Sequence, residues 1–347
     1  MKIDIDSLVR KNIQRLKQYS SARDEFQGTA SVFLDANESP NPSPYNRYPD
    51  PLQKELKSKI SSIKKVTPEN IFLGNGSDEP IDLLFRAFCE PGIDNVVIPQ
   101  PTYGMYSVSA NINNIEIKQV SLTPDFDLDV TAIKNCWDNN SKLLFLCSPN
   151  NPSANLLSSE KIIELVNSFH GLVIVDEAYI DFTNQPSFSQ RLNEFNNLVI
   201  LQTLSKAWGL AAIRLGMCFA NKAIIQVLNK IKSPYNISIL TQQIALKELE
   251  MEDRKEKWVK EILDERENLI QQLKSIKSVI NVYPSDANFV LAKMKDAKLM
   301  YQKLIEREIV VRDRSSVILC DNCLRITVGT KTENQKMLNA LMTIDKA

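Results

Sequence analysis

Histidine is almost missing: His170 is the single one in a chain of 347 residues. A Ser-His-Asp relay or a histidine-rich metal centre has no material to be built from, so proton transfer must use another base. His170 stands just before Gly171, where a helix end is expected to lead into a strand, and a histidine in a last helical turn ordinarily complements the helix dipole. Net charge is missing too, since 42 basic residues cancel 42 acidic ones. With no dense basic block, nucleic acid and anionic membranes are not expected partners. No apolar run approaches the roughly 20 residues of a membrane-spanning helix. The opening Met1-Lys2-Ile3-Asp4-Ile5-Asp6 alternates charge with aliphatics and has no apolar stretch of the signal-peptide kind, so the expected compartment is the cytoplasm. The six cysteines suggest neither a zinc site nor a redox pair. Cys320-Asp321-Asn322-Cys323 has CxxC spacing, but no second pair completes a zinc site. Apolar runs on both sides make it a hairpin turn instead, and no metal is expected.

What is present fits a globular protein: 43% hydrophobic residues allow a sizeable core, 24% charged residues are ordinary, and the length suggests two domains. Strand-like runs at Asn95–Ile98, Ile115–Val120, Leu143–Cys147, Leu172–Asp176, Leu198–Thr203 and Leu215–Ala220 alternate with helical patterns at Asp78–Cys89, Ser158–Phe169 and Lys222–Ile231. Nearly continuous apolar strands separated by helices predict an α/β fold, a mostly parallel sheet flanked by helices, with ligands outside the carboxyl ends of the strands. From Leu240 to Ile276 the pattern predicts one long connecting helix. Short runs at Ala287–Ala292, Ile309–Arg312, Val317–Cys320 and Leu324–Val328, with helices at Ala297–Glu308 and the C-terminus, predict a smaller α+β domain. The expected division is 37–240 for the large domain, and 1–36 with 241–347 for the small one. The N-terminal stretch is too short for a core of its own and is expected to pack on the small domain or on a partner subunit.

Three strand ends carry the chemistry. Leu198–Thr203 leads to Ser205-Lys206 and then to the nearly uncharged Ala207-Trp208-Gly209-Leu210-Ala211-Ala212-Ile213. Burial disfavours an ammonium, and a neutral amine near physiological pH can hold an aldehyde cofactor. Leu172–Val175 ends in Asp176-Glu177-Ala178-Tyr179, and Leu143–Cys147 ends in Ser148-Pro149-Asn150-Asn151-Pro152. Lysine, aspartate and asparagine so delivered fit a pyridoxal 5'-phosphate site. Lys206 supplies the amine. Asp176 is the carboxylate for the pyridine nitrogen, while alternation turns Glu177 away. Asn151 and Tyr179 suit the ring's phenolic oxygen. Gly74-Asn75-Gly76-Ser77-Asp78, opening a helix, offers backbone N–H groups to a phosphate, and Thr203, Ser205 and Arg214 add donors. Arg214 among apolar neighbours needs an anion. Plainer readings exist for single members: a helix-capping role for Asp176, a turn before proline for Asn151, a plain turn for the Gly-x-Gly.

With these segments laid out, the chain resembles the fold type I, class-II PLP-dependent aminotransferases, and within them the histidinol-phosphate aminotransferase family. The matching stretches also include Tyr19-Ser20-Ser21-Ala22-Arg23, Asn46-Arg47-Tyr48-Pro49-Asp50, Pro101-Thr102-Tyr103-Gly104-Met105-Tyr106 and Leu324-Arg325-Ile326-Thr327-Val328-Gly329. The resemblance implies amino transfer between L-histidinol phosphate and 2-oxoglutarate, yielding imidazole acetol phosphate and L-glutamate, with Lys206, Asp176 and Tyr179 catalytic. It implies that Tyr103 stacks on the cofactor ring and that Tyr19, Asn37, Arg312 and Arg325 bind substrate. It further implies a homodimer in which Tyr48 reaches the partner's cofactor phosphate. For Arg312 a surface ion pair is the plain alternative. Two departures remove glycines: Ser153-Ala154 stands where the family commonly has Thr-Gly, and Ala212 where many members have glycine. They put the loop backbone in question rather than the chemistry. Other readings remain open. A decarboxylase of a phosphorylated amino acid such as threonine phosphate would release CO2 without forming glutamate. An aromatic amino-acid aminotransferase would favour phenylalanine as donor. A non-enzymatic regulator of this fold would want a DNA-binding domain for which there is no spare length.

Overall fold

The computed structural model describes residues 3–17, 19–20, 25–26 and 28–345. The apolar runs become a seven-stranded sheet of β1 (Ile71–Asn75), β2 (Asn95–Gln100), β3 (Glu116–Ser121), β4 (Ser141–Cys147), β5 (Leu172–Asp176), β6 (Leu198–Thr203) and β7 (Leu215–Ala220), in the order β1-β7-β6-β5-β4-β2-β3. The pairings from β3 through β6 are parallel, and β7 runs antiparallel to both of its neighbours. The period of two splits each strand between two cores. Val97, Leu144, Val173 and Ile200 point into one, and Val96, Leu143, Leu172 and Val199 into the other. Burial on both faces explains why these strands read as unbroken apolar runs.

Strand β1 carries no such signal. Its apolar part is only Ile71-Phe72-Leu73, cut short by Gly74, and its pairing partner β7 lies more than a hundred residues away in sequence. The glycines here meet a steric need. Gly216 of β7 lies opposite Gly74, and a Cβ on Gly216 would come within 2.3 Å of the Gly76 backbone and 2.4 Å of the Ser77 nitrogen. Gly216→Ala must therefore push the Gly76–Ser77 turn off the strand. The expected cost is about 1–3 kcal/mol, read as a lower melting temperature of the cofactor-free protein, with weaker phosphate binding; an unchanged melt would contradict this packing.

The second sheet is antiparallel, in the order β10-β11-β9-β8, built from β8 (Val279–Val282), β9 (Phe289–Met294), β10 (Arg312–Asp313) and β11 (Cys323–Thr327). Together with the helices Glu252–Lys274, Ala297–Ile305 and Lys331–Ile344 it encloses its own core around Leu273, Val290, Ala292, Leu324 and Leu341.

Three expectations change. The helix expected over Leu240–Ile276 is two, Ile239–Glu248 and Glu252–Lys274. Leu249 between them is buried in the large-sheet core whereas Leu269 and Leu273 serve the second core, so the break occurs where the chain changes cores, with no proline or glycine to mark it. Val317–Cys320 forms turns rather than a strand, so the CxxC segment ends the long loop of the hairpin that β10 and β11 make. The start of the N-terminal stretch, residues 5–10, packs on the helices that flank the large sheet instead of on the small domain. Ile5 and Val9 are buried beside Phe88 and Leu228, the Arg10 N–H donates to the Ala87 carbonyl at 2.9 Å, and Arg10 pairs with Glu90 at 3.2 Å. No helix among the described residues is long and apolar enough to cross a membrane.

Candidate active site

A cavity of about 420 Å³ opens at the carboxyl ends of β5 and β6 and reaches the second sheet. Asp176, the last residue of β5, is 3% exposed. Its Oδ2 accepts a hydrogen bond of 2.6 Å from the Tyr106 hydroxyl and its Oδ1 one of 3.0 Å from the Ala178 N–H. Burial pushes its carboxyl pKa up, against the pull of those donors and of Lys206. Alternation sends Glu177 to the other side, as expected. There it accepts from the Phe188 N–H at 2.7 Å and Gln202 Nε2 at 2.9 Å, and burial raises its carboxyl to about 7.

Lys206 follows β6 in a turn closed by the Gly209 N–H donating to the Lys206 carbonyl at 3.0 Å. Its ammonium lies 5.5 Å from the Tyr179 ring centroid. Burial is the largest influence and lowers its pKa, Arg325 and Arg214 add to the lowering, and Asp176 opposes it. This is the poorly solvated amine that the apolar context of Ser205-Lys206 leads one to expect. Tyr179 is buried, its ring edge-on to Phe289 at 5.1 Å. Asn151 is also buried, and its Oδ1 accepts 2.6 Å from Arg325 Nη1, which leaves the amide Nδ2 for another acceptor.

The turn Gly74–Ser77 runs into the helix Asp78–Phe88, and the Ser77 side chain makes no capping bond. Gly76 has φ +72, and a Cβ there would lie 2.5 Å from Arg214 Nη2. Only glycine lets the guanidinium come so close to the backbone. Thr203 Oγ1 donates to Ser205 Oγ at 2.9 Å and accepts from the Ser205 N–H at 3.0 Å. Arg214 is less enclosed than its neighbours suggested. Its side chain is 48% exposed and pairs with Asp78 at 3.4 Å, while Tyr103 donates to the other Asp78 oxygen at 3.2 Å.

Of the expected site residues, the cavity brings together Ser77, Asp78, Tyr103, Asn151, Asp176 and Tyr179, and with them Thr203, Ser205, Lys206, Arg214, Arg312 and Arg325, with Gly76 just behind. Three do not reach it. Tyr19 is 66% exposed and lies in a separate cleft with Pro51 and Pro234. Tyr48 is exposed and stacks on Tyr235 at 4.4 Å. Asn37, with φ 54, is not among the lining residues. Ser21-Ala22-Arg23 lie outside the described residues. Three polar groups at the site were not expected from the sequence: Cys147, the last residue of β4; Tyr106, on the helix Met105–Ile112 that follows Tyr103; and Arg314, two residues beyond Arg312, where strand alternation was the available signal. Ala154 takes φ +72, the conformation for which the family's glycine is suited, whereas Ala212 lies in an ordinary helical turn.

These donors fit pyridoxal phosphate. The buried Asp176 carboxylate has no cation in hydrogen-bonding contact, so a ring N–H supplies what its burial lacks. The Gly76 cradle, the helix N-terminus and Arg214 suit a phosphate, and Lys206 and Asp176 face the same volume.

Comparison with known proteins agrees. The family described as Aminotransferase class I and II matches residues 20–341. A histidinol-phosphate aminotransferase from Bacteroides fragilis is 55% identical over 338 residues, 97% of this chain and 98% of the relative. The solved histidinol-phosphate aminotransferase from Clostridium acetobutylicum superposes with a TM-score of 0.80 at 26% identity, over 86% of this chain and 91% of that one. The enzyme from Sinorhizobium meliloti, solved in complex with pyridoxal 5'-phosphate, has the same fold: TM-score 0.80, 21% identity, 90% of each chain.

Proposed function

The chain belongs to the class I and II aminotransferases, and from that membership we propose that it transfers the amino group of L-histidinol phosphate to 2-oxoglutarate, giving imidazole acetol phosphate and L-glutamate for histidine biosynthesis. The observation that carries this reading is one cavity holding both a poorly solvated lysine beside a buried carboxylate and a face of arginines. The 55% identity to a histidinol-phosphate aminotransferase favours it over the decarboxylase and the aromatic aminotransferase.

Bound pyridoxal phosphate supplies an aldehyde that takes up amines and a ring that draws electrons from the substrate α-carbon. Lys206 would hold the aldehyde carbon and, when free, would serve as base and then as acid for the proton of the substrate α-carbon. Burial, with Arg325 and Arg214, lowers its pKa and so favours the neutral amine that this exchange needs. Asp176 keeps a proton on the ring nitrogen, and Tyr106 and the Ala178 N–H orient its carboxylate. Asn151 Nδ2 and the Tyr179 hydroxyl serve the phenolic oxygen, and Tyr103 packs on the ring. The backbone from Gly76 to Asp78, Thr203, Ser205 and Arg214 hold the phosphate. Arg312 and Arg325 read the anionic end of each substrate in turn, the phosphate of the donor and then a carboxylate of the acceptor, because a guanidinium fork matches both. Tyr19 and Asn37, which this single chain leaves outside the cavity, would complete that end in the dimer, as the family resemblance implies.

The working unit is a homodimer. Val32 is 68%, Leu34 92% and Tyr45 60% exposed, an apolar stretch that fits burial against a second copy and carries Tyr48 toward the partner's cofactor phosphate. The cofactor-binding unit, expected over 37–240, runs on through Leu249 and takes in the packed start of the N-terminal stretch, and the smaller unit follows it. Six unpaired cysteines suit the reducing cytoplasm.

The test is steady-state kinetics with 2-oxoglutarate and paired amino donors. Histidinol phosphate is expected to form glutamate with kcat/KM at least about 100-fold above that of histidinol, the value of one to two charge-assisted hydrogen bonds. CO2 release from a phosphorylated amino acid without glutamate refutes the assignment.

A further inference from the structure

Two residues beyond Arg312 the chain places another arginine on the same side of the second sheet. Strand β10 pairs with β11 through Arg312 opposite Arg325, and the Arg314 N–H donates to the Cys323 carbonyl at 2.9 Å, so the ladder runs one residue past the strand. Alternation then gives Arg312 and Arg314 a shared face, and both line the cavity with Arg325. The acid between them is turned away: Asp313 Oδ1 accepts from the Ser315 N–H at 2.8 Å and the Ser315 hydroxyl at 2.6 Å. Arg325 is committed to Asn151 and stands over the Phe289 ring at 5.4 Å. Arg314 has no such commitment, and its Nε is buried without a partner. Among the described residues no carboxylate pairs with any of the three. The two carboxylates lining the cavity are engaged elsewhere, Asp78 with Arg214 and Tyr103, Asp176 with Tyr106.

Such an arrangement weakens the fold. Like charges set against one another across a ladder are unfavourable, and a buried unpaired donor costs more. Arg314 contributes no intramolecular side-chain bond in return, so its benefit must come from a ligand. The ligand chemistry follows from the count of forks. A carboxylate has two oxygens and one charge, which two guanidiniums satisfy. A phosphate monoester has three oxygens and close to two charges, which leaves work for a third.

We propose that Arg314 is a specificity-determining residue that joins Arg312 and Arg325 in selecting a phosphate monoester over a carboxylate. This rests on the amino-donor assignment above and assigns to one residue the preference for the phosphorylated donor.

The experiment titrates the holoenzyme with two unreactive anions, glycerol 3-phosphate and glutarate, following the visible spectrum of the bound cofactor. In Arg314→Gln the dissociation constant of glycerol 3-phosphate is expected to rise about tenfold, equivalent to ~1.4 kcal/mol, and that of glutarate less than about threefold. The KM for histidinol phosphate should rise with the first of these, while kcat moves less. Arg314→Lys keeps the charge without the fork and should fall between. Because the substitution removes a repulsion, Arg314→Gln is expected to melt no lower than the parent. Equal losses for both anions, retained affinity for glycerol 3-phosphate, or a markedly lower melting temperature would each overturn the proposal. A parent that shows no preference for phosphorylated donors fails at the donor assignment, before any variant is made. A parent that prefers them and a variant that prefers them just as strongly fail Arg314 alone.

Discussion

Lys206→Ala is expected to lose at least about 10⁴ in turnover, since one side chain both anchors the cofactor and carries the proton. It should also lose the visible band of lysine-bound pyridoxal phosphate while keeping its far-UV circular dichroism. The second readout separates chemistry from folding. Lys206 is half-buried with its ammonium over the Tyr179 ring, and its pKa is lowered by burial and by Arg325 and Arg214. A lysine whose folded pKa is depressed destabilises the fold wherever the unfolded chain would hold the proton more tightly. That penalty is absent above the ordinary lysine pKa and grows as pH falls through the interval between the two values. Cofactor-free Lys206→Ala should therefore be more stable than the parent at pH 7, with an advantage that shrinks as pH rises toward the ordinary lysine value near 10.5. Denaturant melts of both apoproteins at the two pH values check the sign. An unchanged visible spectrum in the variant removes Lys206 from the cofactor.

The strands most legible in the sequence are those with the simplest physics. Leu172–Asp176, Leu198–Thr203 and Leu215–Ala220 occur with the predicted boundaries, because burial on both faces demands an apolar residue at every position until the chain meets the site. The same rule exposes Asp176 and Lys206, since a charge directly after such a run is expensive without a use. The signal fails where the determinant is remote. Strand β1 owes its place to β7, and the break at Leu249 owes its place to a change of core. Tyr106 reads as one more aromatic on a helix until the fold brings its hydroxyl within 2.6 Å of Asp176. Arg314 is hidden for another reason. It follows only two strand residues, and its place over the cavity depends on β10 pairing with β11, while Asp313 beside it is turned away to Ser315. Tyr19, Asn37 and Tyr48 depend on the resemblance alone, and one chain by itself does not bring them to the cavity.

The second large effect is expected at Asp176. Asparagine has the same shape: its Oδ1 can accept from the Ala178 N–H while its Nδ2 donates to the Tyr106 hydroxyl oxygen, so Asp176→Asn should fold and keep both partners, with the direction of the Tyr106 bond reversed. What it loses is the negative charge that keeps the ring nitrogen protonated, and with it the pull on electrons from the substrate α-carbon. Removing one preorganised electrostatic group of this kind costs about 10²–10³ in kcat. The loss should fall on kcat rather than on the KM of either substrate, because Asp176 touches the cofactor and not the anionic end that the arginines read. Stability should move the other way. Burial raises the Asp176 pKa in the folded protein, so the parent is penalised as pH rises above the ordinary carboxyl value of 3.8, and the neutral amide escapes that penalty. Cofactor-free Asp176→Asn is therefore expected to out-melt the parent at pH 7 and to match it near pH 3 to within about 1 kcal/mol. Tyr106→Phe supplies the internal control: it leaves the charge in place and removes one donor, so it should lower kcat far less than the asparagine does and shift the pH dependence of the bound cofactor's spectrum. Turnover of Asp176→Asn within about tenfold of the parent would mean that the carboxylate does not hold the ring proton, and the orientation given to the cofactor in this cavity would have to be reversed.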